Sequence, residues 1–127
     1  MTTLRSPLGR ARGLGSAKSG LASFLSLRIA AIALIPLCLW FVVAAIRLMG
    51  ADHDALREFL GQPGNAAAFV LLILAAFHHA RLGMEEVIVD YVHAKAAQIS
   101  LLLGVRFLAA LLAAFLVLAV VKLGFGV

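Results

Sequence analysis

The stretch His78-His79-Ala80-Arg81-Leu82-Gly83-Met84-Glu85-Glu86-Val87-Ile88-Val89-Asp90-Tyr91-Val92-His93 puts histidines, an arginine, carboxylates and a tyrosine directly after an apolar run. Ionisable groups are costly in hydrocarbon and face a bundle interior or a polar cavity. At about 100° per residue, helix offsets of 4, 7 and 11 from His79 fall within roughly 40° of it. His79, Gly83, Glu86 and Asp90 therefore share one stripe, roughly 16 Å long at about 1.5 Å per residue. A histidine in a membrane can ligate iron through a neutral imidazole nitrogen. A glycine one turn further removes a side chain where a flat macrocycle could lie against the backbone. Asp90 and Tyr91, near the membrane surface, offer a proton carrier and a phenolic donor. A quinone headgroup needs both as it is reduced. Bland readings compete with each of these. A membrane histidine also serves as an interhelical hydrogen-bonding group. Glu85 and Glu86 read as solvated or interfacial, and Asp90 could pair with a base at a helix end. Residue types and spacing alone stop at a membrane helix with a polar stripe.

The elements that must position this stripe follow from composition. The chain has 127 residues, 64% hydrophobic and 13% charged, with a mean hydropathy of +1.08. A soluble domain is roughly half apolar and a quarter charged. So short a chain could not hide this much apolar surface in water. A soluble enzyme, a disulfide scaffold and a disordered tail are excluded, and lipid is the main solvent. Cys38 is the one cysteine, so neither an intrachain disulfide nor an iron–sulfur cluster held by this chain alone is possible. No Gly-rich dinucleotide fingerprint occurs either. The net charge of +5 reads as orientation and docking charge, with no nucleic-acid role.

The expected fold is an all-α integral membrane protein with three transmembrane helices. Residues 1–27 read as a basic flexible tail carrying Arg5, Arg10, Arg12 and Lys18 and no acidic residue. The tail is not a secretory signal, although it shares an Arg- and Ser-containing, acid-free character with transit peptides. Residues 28–127 form the membrane domain, with spans at about 28–49, 66–91 and 96–122. Pro36 should kink the first span. Residues 50–65 read as a polar connection, and Asn65 as the N-cap of the second helix. With the N-terminus inside, the inner side holds six basic residues: Arg5, Arg10, Arg12, Lys18, Arg28 and Lys95. The outer side holds three, Arg47, Arg57 and Lys122. The balance favours the N-terminus inside and the C-terminus outside. Arg28 then shares a leaflet with Asp90.

Outside the stripe, structural readings prevail. Arg81 is placed to pair with Glu85 at i+4. Arg106, about ten residues into the third span, snorkels or pairs with a carboxylate. Ser23, Ser26 and His53 read as solvated, Trp40 and Phe41 as packing residues, and Cys38 as a small buried hydrophobe. His93 falls back near the stripe.

The run His79-Ala80-Arg81-Leu82-Gly83-Met84, followed by Asp90-Tyr91-Val92-His93, resembles the signature of the hydrophobic membrane anchor, or D-type, subunits of succinate dehydrogenase. The spacing from the histidine to Gly83 and to Asp90-Tyr91 is that of the family's second helix. The tail Gly13-Leu14-Gly15-Ser16-Ala17-Lys18-Ser19-Gly20 and the span with Arg28, Pro36-Leu37 and Trp40-Phe41-Val42 are similar to bacterial members. The resemblance implies a membrane subunit of a succinate:quinone oxidoreductase that carries no centre for succinate oxidation. It implies His79 as an axial ligand of a haem b shared with a companion cytochrome b anchor. Arg28 would approach a haem propionate, with Gly83 leaving room beside the macrocycle. Tyr91 would hydrogen-bond the ubiquinone carbonyl, and Asp90 would stand beside it in the proton network. Implied partners are the companion anchor, an iron–sulfur subunit, a flavoprotein subunit and membrane lipid. The implied location is a bacterial inner membrane in preference to a mitochondrial one. His78 stays open as the ligand in place of His79, because the two point about 100° apart on a helix. The rival reading is a small non-redox assembly or transport component that self-associates through the polar stripe.

Overall fold

A computed structural model describes residues 6–8 and 18–126, with side chains of the first helix described from Gly20 onward. Most of the basic tail therefore lies outside the described residues. Four helices follow in order: α1 (Lys18–Arg47), α2 (His53–Gly61), α3 (Pro63–Tyr91) and α4 (Lys95–Phe125). Among the described residues there is no strand. Three of the helices are long and apolar enough to cross a membrane, at 28 to 31 residues in the spanning segments. That exceeds the ~20 residues a spanning helix needs, so each must tilt or extend beyond the hydrocarbon.

α1 begins at Lys18, ten residues before the expected start at Arg28. The stretch Leu21-Ala22-Ser23-Phe24-Leu25 contains no proline and good helix formers, so nothing stops the helix short of the span. Pro36 lies within α1, and the helix continues past it. The connection after Arg47 is only partly a loop. Asp52 caps α2 by accepting a hydrogen bond from the Ala55 amide at 2.9 Å. Leu56, Phe59 and Leu60 then make one apolar face on a short helix.

Asn65 is not the N-cap of α3. The helix starts at Pro63, with Gln62 as the cap residue in extended geometry. Proline suits the first helical position because its missing N–H would be unpaired there anyway. The Asn65 side chain instead donates to the Phe59 carbonyl (3.0 Å) and to Gln62 Oε1 (3.3 Å), tying α2 to the start of α3.

α3 is the middle helix. It packs on α1 along one side and α4 along the other. Among the described residues, four of the seven buried apolar residues are alanines: Ala30, Ala44, Ala66 and Ala113. Small residues let helix backbones approach where lipid gives no hydrophobic drive for association. The large apolar side chains point outward, Ile29, Ile32, Leu39, Phe107, Leu111 and Phe115 among them. Cys38 is exposed with them, contrary to the buried position expected. On the outer surface of a membrane helix an apolar environment is lipid, so a small hydrophobe gains nothing from moving inward.

An aromatic cluster fastens the end of the bundle near Arg47. Trp40 stacks with Phe59 at 6.3 Å between ring centroids and meets Phe69 edge-on at 5.2 Å. Phe41 meets Phe69 edge-on at 5.7 Å. At the same end α2 crosses α4 backbone to backbone. A Cβ at Gly124 would lie 2.5 Å from the Leu60 carbonyl oxygen and 2.9 Å from its carbon. Gly124→Ala is therefore expected to cost about 1–3 kcal/mol, the range for overpacking. Thermal unfolding in detergent reads this, with Gly104→Ala as the control, since a Cβ there meets nothing within 4 Å.

Candidate functional site

α1, α3 and α4 bring Ser26, residues 78–91 and Arg106 to the same end of the bundle. Antiparallel packing of α3 against both neighbours makes this unavoidable once the spans pair along their length. The expected sharing of one end by Arg28 and Asp90 holds in this arrangement. The Arg28 guanidinium lies 4.6 Å from the Phe24 ring centroid and has no carboxylate partner among the described residues.

The two adjacent histidines have different surroundings. His78 Nε2 and Ser26 Oγ are 2.6 Å apart, a hydrogen bond that ties α3 to α1. Ser26 is thus not the solvated hydroxyl that its place near the tail suggests. His79 has no hydrogen-bond partner among the described residues, and its Nδ1 is fully buried. Buried polar atoms are nearly always paired, and an unpaired one calls for a reason. One turn on, Gly83 is half-buried, and a Cβ there would meet nothing within 4 Å, so the space beside it is open.

Glu85 is not the solvated carboxylate that its sequence position allows. Its side chain is only 16% exposed, and both its oxygens are held by Arg106 of α4, with Nε to Oε1 at 2.8 Å and Nη2 to Oε2 at 3.3 Å. Parallel bonds of this kind fix geometry as well as charge. Arg81 Nε stands 3.7 Å from the same Oε1, an ion-pair distance too long for a hydrogen bond. The i+4 pairing of Arg81 with Glu85 is present, but Arg106 is the closer partner. Burial explains the arrangement: a carboxylate in hydrocarbon without a cation would be far more costly than the pair.

Glu86 and Asp90 lie one turn apart and line a cavity of about 350 Å³, which Ser23 of α1 and Leu102 and Arg106 of α4 complete. Both carboxylates are exposed, as is Tyr91, the last residue of α3. His79, Gly83, Arg28 and Tyr91 do not line that cavity. The stripe is therefore split. Its lower half opens on the cavity, while His79 sits higher on α3. His93 is exposed in the short connection to α4. Gln98, which no spacing argument singles out, donates its amide to the Val92 carbonyl (3.0 Å) and to the Val89 carbonyl (3.4 Å). It satisfies carbonyls that a helix end leaves open, and so steadies the turn carrying Asp90 and Tyr91. Among the described residues no three histidines, cysteines or carboxylates gather as a metal-ion site.

Fold and site together define a small three-span membrane subunit with a charged, histidine-bearing middle helix. The model of the succinate dehydrogenase/fumarate reductase transmembrane subunits matches residues 2–121, and the chain belongs to that family. It is similar to the succinate dehydrogenase hydrophobic membrane anchor subunit of Rickettsia bellii (strain RML369-C). Identity there is 31% over 114 residues, covering 89% of this chain and 91% of the relative. The anchor subunit of the same description from Rickettsia conorii (strain ATCC VR-613 / Malish 7) is 31% identical over 84 residues, covering 65% of this chain and 67% of the relative. No solved structure matches the chain significantly. The resemblance on His79, Gly83 and Asp90-Tyr91 thus led to the right family.

Proposed function

We propose that this chain anchors a succinate:quinone oxidoreductase in a bacterial inner membrane. With a companion cytochrome b anchor it docks the iron–sulfur and flavoprotein subunits, which perform the succinate oxidation. His79 would hold the iron of a haem b shared with the companion, and Arg28 would balance the charge of its carboxylates. Tyr91 and Asp90 form part of the site where ubiquinone is reduced. The N-terminus lies inside, so the basic inner face adds electrostatic attraction for the docked subunits.

The observation that carries this reading is the contrast between the two histidines. His78 is engaged by Ser26, whereas His79 keeps a buried ring nitrogen with no partner beside the open space at Gly83. That environment fits an imidazole reserved for an external ligand. When bound, a b-type haem supplies one-electron storage between the soluble subunits and the quinone. The chain's own part is to hold and orient. His79 presents a ring nitrogen, and Arg106 holds Glu85 in place about two turns along α3. Tyr91 Oη donates a hydrogen bond to the quinone carbonyl oxygen, and Asp90 passes protons between solvent and that oxygen.

The test is to purify the tagged chain in mild detergent from its native membranes and record a succinate-reduced minus air-oxidised visible spectrum. A b-type signal that travels with larger soluble subunits is the expected result. Self-association without haem or partners would overturn the proposal in favour of a non-redox assembly component.

A further inference from the structure

The opposite end of the bundle carries a feature that quinone reduction does not use. Where α2 crosses α4, a cavity of about 510 Å³ opens, lined by His53, Arg57, Ala119, Lys122, Leu123 and Gly126. Two of these are cations without an anionic partner: neither Arg57 nor Lys122 makes an ion pair or side-chain hydrogen bond among the described residues. The carboxylates of this region are placed elsewhere. Asp52 caps α2, Asp54 stands 3.9 Å from His53, and neither these nor Glu58 line the cavity. The Arg57 guanidinium is held against the last turn of α4, since a Cβ on Gly126 would meet its Nη2 at 2.5 Å. Gly126 has a φ of +69° and closes α4 in left-handed geometry, which leaves room for that guanidinium.

Ala119 and Leu123 belong to a second hollow as well. They line a wholly apolar groove of about 400 Å³, walled by Leu60, Phe69, Ile73, Phe77 and Leu116 among others. A cationic cavity at a helix end thus runs into an apolar groove descending between α3 and α4. Two unpaired cations facing one cavity repel each other, and an anion placed there relieves both. The groove requires the same ligand to carry a hydrocarbon tail.

We infer that cavity and groove together hold one anionic phospholipid. Its phosphate sits between Arg57 and Lys122, and an acyl chain lies along Leu116, Ala119 and Leu123. Each Lys or Arg beside an anionic headgroup strengthens its binding roughly fivefold.

The test uses the protein extracted in mild detergent with whatever partners it retains, stripped of lipid by detergent exchange. Dioleoyl phosphatidylglycerol and dioleoyl phosphatidylcholine are titrated in, and retained lipid is counted by native mass spectrometry. The anionic lipid should be retained preferentially. Arg57→Gln and Lys122→Gln should each weaken it roughly fivefold, and the pair together about 25-fold. Lys95→Gln, at the other end of the bundle, should leave it unchanged. Ala119→Phe, which fills the shared wall, should lower retention with the charges intact. Equal retention of the two lipids by the unaltered protein would overturn the inference, and that comparison needs no variant to fold. So would undiminished binding by the double variant, or displacement of the lipid by millimolar inorganic phosphate, which would mark a free-anion site.

Discussion

His79→Leu is expected to abolish the b-type haem spectrum of the complex, while His78→Leu leaves it in place. The two residues are neighbours, so their substitution differs only in which contact is lost. His78→Leu removes a hydrogen bond to Ser26 of 2.6 Å, a link between α3 and α1. Its cost is about 0.5–1.5 kcal/mol of stability, with Ser26 left unpaired. His79→Leu removes no hydrogen bond at all. A buried polar atom without a partner costs on the order of 1–3 kcal/mol. Leucine at 79 should therefore leave the isolated chain as stable as before, or more so. Loss of haem with the chain's own stability retained is the pattern of a removed ligand. If His78→Leu alone abolished the spectrum, the ligand assignment would move to His78. If neither did, no haem would be held by this helix.

The second large effect is expected at Tyr91. Tyr91→Phe should lower quinone reduction about tenfold, the value of one hydrogen bond of roughly 1.4 kcal/mol that acts on the reacting oxygen. Succinate oxidation measured with an artificial soluble acceptor should persist. The Tyr91 side chain ends α3, is 79% exposed and has no partner among the described residues. Removing its hydroxyl therefore disturbs no internal contact. An equal loss of both activities would show that the change acts on assembly, and the quinone role would fall. Asp90→Asn in the same assay separates proton delivery from binding. It should lower the turnover number with little change in the apparent KM for quinone.

Residues 78–91 show how far a single sequence reaches. Helical spacing found the stripe of His79, Gly83, Glu86 and Asp90, because position along and around one helix is a local property. It could not choose between His78 and His79. The two differ in surroundings because of Ser26, 52 residues from His78, which faces it only once α1 and α3 pack in one register. Glu85 shows the same limit. Its i+4 partner Arg81 was visible from spacing, but its closer partner Arg106 lies 21 residues on. The helix α2 was a different kind of omission. Asp52 as a cap and Leu56, Phe59 and Leu60 on one face were present in the sequence. Nine residues are marginal as an isolated helix, and α2 persists because Leu60 is buried against the longer helices.

The sequence by itself determined that the chain lives in lipid and crosses it with three helices. It also determined which helix carries the stripe of histidine, glycine and carboxylates, since hydropathy and periodicity depend on each segment and its solvent alone. The tertiary structure decided which of the charged and polar groups are already spent on one another. Glu85 is taken by Arg106 and His78 by Ser26, Gln98 closes the end of α3, and among the described residues His79, Arg57 and Lys122 have no partner. Pairing of this kind is set by the rotation and register of whole helices. In hydrocarbon, where an unmatched polar group has no water to turn to, that pairing separates residues that hold the fold from residues left for ligands.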